Sequence, residues 1–277
     1  RASSAAELRR SARSIGASSG SIGCCIRNGT SASRRIRARL AGLRRRSRRL
    51  TLYDEHVSAS RTPTPPPRRP ALLAGIAALI LVIGIGVIVT VRASPFEFDT
   101  EWMEEVIEHR GEIWLVPSLV MNFLGGGWFG TLLVPIAVTV LLMALRRPWS
   151  ALYFLVASAT SAVLVQVLKV TFGRARPSDI LVHVDPGSFP SGHVANAATV
   201  AVAIAFIVGR AWVWVAGAVY ALVMALSRTY LGAHWVSDTV GGALLGAAVS
   251  VLLFAAFAPR LGDDSWRRAS SPDSVEP

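Results

Sequence analysis

The chain has 277 residues, of which 52% are hydrophobic and 17% charged, with a mean hydropathy of +0.46. A soluble globular domain carries about 25% charged residues, so this composition argues against a cytosolic enzyme and excludes a disordered or collagen-like chain. The net charge of +12 belongs to one end: residues 1–70 hold 17 of the 29 basic residues and three acids, a net +14, which leaves the other 207 residues at −2.

Residues 1–70 are rich in Arg, Ser, Ala and Gly and end in a proline run, without helical or strand periodicity, and they read as a disordered basic tail. This is either a solvated cytoplasmic tail or sequence upstream of the true start, since the first residue is not Met. Its arginines could meet anionic lipid headgroups. No specific nucleic-acid partner is expected, because Tyr53 is the one aromatic residue among them. Cys24 and Cys25, the only cysteines, are vicinal and define no disulfide framework, although palmitoylation there is conceivable.

The stretch 71–91 is apolar and uncharged, long enough to cross a ~30 Å hydrocarbon core. Residues 93–112 then place seven acids among Phe96, Phe98, Trp102, Val106 and Ile107, the mixture of an amphipathic segment on a membrane surface. Apolar blocks follow at 113–124, 127–145, 149–168, 192–208, 211–227 and 236–257. The first is short and interrupted by Pro117 and Gly125-Gly126-Gly127, so it should re-enter or lie along the interface. The other five, with 71–91, make six transmembrane helices. The expected fold is therefore all-α, a polytopic six-helix bundle over 71–258, between the tail 1–70 and a cytoplasmic C-terminal tail 259–277. Arginines in short connections (Arg146-Arg147, Arg210, Arg260) mark the cytoplasmic side and put both termini there. Two connections on the opposite side break that rule: 169–191, with Lys169, Arg174 and Arg176, and 228–235, with Arg228.

These connections hold three clusters that can converge on one face: Lys169…Arg176-Pro177, Pro190-Ser191-Gly192-His193, and Ser227-Arg228…His234…Asp238. The chain has 28 arginines and Lys169 as its single lysine, and an ammonium differs from a guanidinium at a tight anion site. Taken alone, Lys169 could equally snorkel from a span end. Lys169, Arg176 and Arg228 could donate charge-assisted hydrogen bonds to phosphoryl oxygens. Ser191 before a helix reads as an N-cap, and Gly192 lets an anion approach the N–H groups of the first turn. His234 and Asp238 are i and i+4, so the carboxylate can keep one imidazole nitrogen protonated while the other attacks phosphorus. His193 could protonate the leaving oxygen and then activate water. An i, i+4 pair also serves simply as a helix cap, and Pro-Ser-Gly-His alone is weak; the three clusters in order are not. No metal site and no cofactor are expected, since the arginines would repel a cation. His56, His109 and His183 belong to no cluster.

In these three clusters the chain resembles the type 2 phosphatidic acid phosphatase/haloperoxidase superfamily, and its span layout is similar to the integral-membrane lipid phosphatases. The resemblance covers about residues 71–258. It implies a metal-independent two-step phosphoryl transfer, with His234 as nucleophile forming a phosphohistidine, Asp238 orienting it and His193 as general acid and then base. Lys169, Arg176, Ser191, Gly192 and Arg228 would bind the phosphoryl group. Arg174, outside the signature, is assigned to the rest of a polar headgroup. The substrate would be a lipid phosphate reached from the extracytoplasmic leaflet of a cell membrane, plausibly bacterial: phosphatidic acid, phosphatidylglycerol phosphate or a polyprenyl diphosphate. Phosphotransfer to a lipid or glycan acceptor, and non-catalytic lipid binding, are the alternatives. Gly242-Ala-Leu-Leu-Gly246 offers a close helix contact, either within the bundle or in a homodimer.

Overall fold

The computed structural model describes residues 68–269, and every regular element among them is helical. The basic tail, Cys24, Cys25 and His56 lie outside the described residues. The elements are α1 (Arg68–Arg92), α2 (Glu97–Glu108), α3 (Glu112–Gly125), α4 (Phe129–Ala144, opening with a π-helical turn), α5 (Pro148–Phe172), α6 (Gly192–Val208), α7 (Ala211–Tyr230) and α8 (Val236–Ala269). The outward faces stay apolar, as Leu73, Ile80, Val140, Val163, Val170 and Val215 show, which suits contact with lipid chains rather than water.

Six spans were expected; by length and composition the described helices supply four to five, with one shorter apolar helix beside them. α1, α5, α7 and α8 are each long and apolar enough to cross a membrane, and α3 with α4 makes a fifth if the pair is one broken span. α6 is apolar but has only 17 residues. It starts at Ser191, which is fully buried. The block at 113–124 does not stand apart. α3 leads into α4 through a 47° bend at Gly126, Gly127 and Trp128, where Gly127 takes the left-handed conformation (φ 55°) that glycine adopts without penalty.

α6 is the packing centre, with α8, α7 and α5 around it. Its alanines let the neighbours come close: a methyl group on Gly242 would overlap the Ser191 carbonyl, and one on Gly246 the Ala195 carbonyl. The small-residue motif is therefore used within the bundle, the first of the two uses expected of it. Hydroxyls cross the same layer. Tyr153 donates to the Ser250 carbonyl (2.9 Å), Ser250 to the Thr199 carbonyl (3.2 Å), and Thr199 shares a bond with Ser161 (2.9 Å). Such interhelical bonds contribute about 0.6 kcal/mol each in a membrane.

α8 continues past residue 258, through Pro259 to Ala269. Its last turns are held by the start of α5. Arg260 stacks on Trp149, 4.5 Å from guanidinium to ring. The buried Asp264 accepts hydrogen bonds from the Ser150 N–H and hydroxyl, both at 2.7 Å. A carboxylate against free N–H groups at a helix start is favourable both as a hydrogen-bond acceptor and through the helix dipole. Asp264→Ala strands a buried N–H and a buried hydroxyl, and should lower stability by about 1–3 kcal/mol. A reduced Tm of the detergent-solubilised protein would register this.

Candidate active site

Three segments meet at the end of the bundle opposite Asp264. α5 ends at Gly173, whose left-handed backbone (φ 54°) lets its N–H bond back to the Lys169 carbonyl (3.0 Å). The chain leaves there with Arg174 turned inward and Arg176 toward a cavity. The Phe189–Pro190 bond is cis and leads directly into α6. α7 closes through Gly232 (φ 65°), where a side chain would strike the Asp179 carbonyl, and α8 begins two residues after His234. A backbone bond from the Ser191 N–H to the Asp238 carbonyl (3.0 Å) ties the second cluster to the third.

A cavity of about 390 Å³ opens among them, lined by Lys169, Arg176, Gly192, His193, Arg228 and His234. Six of the eight residues singled out in the sequence thus share one space. Asp238 stands behind His234, and Ser191 does not line the cavity. Ser191 does occupy the N-cap position of α6, but its hydroxyl makes no capping bond and is buried without a partner, which corrects the reading of it as a cap.

Two of the three cations are held by neutral groups. Arg176 donates to the carbonyls of Asp185 (3.0 and 2.7 Å), Gly187 (2.9 Å) and Ala233. Arg228 donates to the Asn122 amide oxygen. Among the described residues none of Lys169, Arg176 and Arg228 has an ion pair with a carboxylate. Their charge is left to face the cavity.

The imidazoles can be assigned from their partners. His234 Nε2 lies 3.4 Å from Arg176 Nη1, and a guanidinium only donates, so Nε2 presents its lone pair and Nδ1 carries the hydrogen. Nδ1 points at Asp238 Oδ2 at 3.6 Å, too long for a good hydrogen bond, and the Ser188 carbonyl also faces the ring without closing one. Burial first, and then Arg228, Arg176 and Lys169, push the His234 pKa well below the usual 6.5. His193 Nε2 sits 3.1 Å from the Asn122 carbonyl, so Nε2 donates and Nδ1 is left for proton transfer. Gly126 packs flat against this ring, where a methyl group would overlap it.

Arg174 does not meet a headgroup. It is buried and bridges two carboxylates, reaching Asp99 Oδ2 (2.8 Å) and Asp238 Oδ1 (2.5 Å). Asp99 was one of seven acids in a segment read as a surface helix, yet it is wholly buried. Its signal was positional: Met103, the other buried residue of α2, is one helical turn further on. Asn122, and His183 at the cavity wall, were also missed, since no motif marks them. His109 is exposed and pairs only with Glu105.

Comparison with known proteins gives concordant matches. Residues 150–261 match the PAP2 superfamily. Phosphatidylglycerophosphatase B of Bacillus subtilis is 33% identical over 166 residues, 55% of this chain and 74% of that protein. Undecaprenyl-diphosphatase of Sulfolobus acidocaldarius is 33% identical over 132 residues, 45% of this chain and 64% of that protein. The crystal structure of a transmembrane PAP2-type phosphatidylglycerolphosphate phosphatase from Bacillus subtilis superposes with a TM-score of 0.59 at 26% identity, covering 67% of this chain and 96% of that one. A relative one-third identical across three-quarters of its length, together with a fold shared along nearly the whole of a solved one, settles the kinship: the chain belongs to the PAP2 superfamily.

Proposed function

We propose that the protein is an integral-membrane lipid phosphatase that hydrolyses a lipid phosphate mono- or diester-anhydride through a phosphohistidine, its site facing the extracytoplasmic side. The observation that carries this reading is the set of three cations without carboxylate partners around a neutral histidine whose lone pair faces them. Such a site matches a phosphoryl group, whose oxygens supply the missing negative charge. The relatives named above act, by their names, on phosphatidylglycerophosphate and undecaprenyl diphosphate, which supports a lipid phosphate as the substrate class.

In the first step His234 Nε2 forms a bond to phosphorus as the bond to the lipid oxygen breaks. That oxygen leaves with the electron pair and takes a proton from His193. Asp238 stabilises the charge that develops on the His234 ring. In the second step water attacks phosphorus and gives a proton to His193, and the P–N bond breaks with its electron pair returning to Nε2. Lys169, Arg176, Arg228 and the first-turn N–H groups of α6 at Gly192 hold the phosphoryl oxygens throughout. The positive surroundings make a metal ion unnecessary and unwelcome. The arginines in the short connections at the far ends of the helices support a cytoplasmic location for that side of the bundle.

Detergent-purified protein should release phosphate from at least one of phosphatidic acid, phosphatidylglycerol phosphate and undecaprenyl diphosphate in EDTA, and vanadate should inhibit it. Label passing to an added acceptor with little free phosphate would instead identify a transferase. His234→Ala should lower kcat by at least about 10³-fold with insertion intact, and unchanged turnover would refute its role as nucleophile. Because burial and the cations depress the His234 pKa, its neutral form should be complete at pH 6.5 and above and be lost only on further acidification. Histidine ¹⁵N resonances can check this: a largely protonated His234 at pH 6.5 would contradict it, and Arg228→Gln should move the titration upward.

A further inference from the structure

Two buried charges, Asp99 and Arg174, take no part in the mechanism above, but Arg174 is bonded to Asp238, which does, and Asp99 is bonded to Arg174. Asp99 Oδ1 accepts the Ser237 N–H (2.9 Å), in the first turn of α8, and Asp99 Oδ2 accepts the Ser237 hydroxyl (2.5 Å) and Arg174 Nη2 (2.8 Å). Arg174 Nη1 donates in turn to the Ser237 hydroxyl (2.7 Å) and to Asp238 Oδ1 (2.5 Å). The other oxygen of Asp238 accepts the Trp235 N–H (2.9 Å) and faces His234. With one oxygen clamped by Arg174 and the other by the backbone, the carboxylate cannot rotate away from the imidazole.

The charges explain why a second acid is needed. Arg174 against Asp238 alone would be a neutral pair, leaving no net negative charge for the imidazolium that forms during turnover. Asp99 supplies it, so that two carboxylates and one guanidinium carry a net single negative charge, with Asp238 at the His234 end. A half-satisfied ion pair in such surroundings would be costly, whereas here each charged group has at least two partners.

We propose that Asp99 and Arg174 are a positioning pair for the catalytic dyad: Asp99 anchors and neutralises Arg174, and Arg174 holds one oxygen of Asp238 so that the other faces His234 Nδ1. This makes α2, an acidic helix that lines neither the cavity nor any signature cluster, part of the catalytic apparatus. Two further contacts fix the α2–α3 connection to the same end, Tyr230 to the Gly111 carbonyl (2.6 Å) and Arg110 to the Asp179 carbonyl (2.9 Å).

The proposal rests on the phosphatase reading for its kinetic effect but not for its spectroscopic one, so the full-length protein is examined both ways. Asp99→Asn should lower kcat roughly 10- to 100-fold, the scale for groups that orient a catalytic ligand, with KM within about twofold. It should also turn the His234 ¹⁵N pattern from a single Nδ1–H tautomer into a mixture, and Asp99→Glu should restore much of both. Asp264→Ala, which removes a buried aspartate at the far end, should lower Tm without either change. If Asp99→Asn proves too unstable, Ser237→Ala removes only the hydroxyl joining Asp99 to Arg174. It should lower kcat several-fold and shift the same resonances. An unmoved His234 tautomer in these variants, or a kcat loss no greater than that of Asp264→Ala, overturns the positioning role. A wild-type protein that releases no phosphate from any lipid, but whose His234 resonances respond to Asp99→Asn, keeps the positioning pair and refutes the phosphatase reading instead.

Discussion

A charge taken out of water must be matched, and at the polar end of this bundle the matching is deliberately uneven. Arg174 collects two carboxylates, while Lys169, Arg176 and Arg228 receive only carbonyl or amide oxygens or nothing comparable. The neutral acceptors satisfy the guanidinium hydrogens and fix their directions, but they do not cancel the charge. An anion from outside is the remaining way to do so, and its binding energy is greatest where the cations have been oriented beforehand. The same field disfavours a proton on the buried His234. One electrostatic arrangement thus favours an anion in the cavity and a neutral imidazole beside it.

That arrangement depends on backbone features with no charge of their own. Gly173 and Gly232 turn the chain sharply enough to bring the last turns of α5 and α7 against the first turns of α6 and α8. Gly242 and Gly246 let α8 lie so close to α6 that the Ser191 and Asp238 backbones bond directly. The broken α3–α4 pair brings Asn122 to Arg228 and His193 from the side. Dense small-residue packing leaves these contacts little freedom, as suits a site whose donors must not reorganise.

Much of this was legible in the residues, and the limits have physical causes. Helix existence follows from unbroken apolar length, so each expected block is found as a helix. The cavity residues were legible because phosphoryl chemistry demands particular side chains at particular spacings. Asp99, Arg174 and Asn122 were not, since a residue that acts by holding another carries no local pattern. Its partner lies 75 residues away in one case and 106 in another. Ser191 shows the converse, a position read correctly whose hydroxyl does something other than the position suggests.

The clamp between Asp264 and the start of α5 has a consequence for the lipid itself. α5 is pinned near Pro148 and delivers Lys169 at its other end, 21 residues on, a distance of about 30 Å at 1.5 Å per residue. That is close to the hydrocarbon thickness of a typical bilayer, ~30 Å. The helix therefore works as a ruler that sets the height of the cationic site above the opposite membrane surface. In a bilayer of matching thickness a headgroup arrives level with the cavity, whereas in a thicker one it stands above it unless the helix tilts. Membrane thickness becomes part of the geometry of the reaction, fixed at the end of the protein farthest from the chemistry.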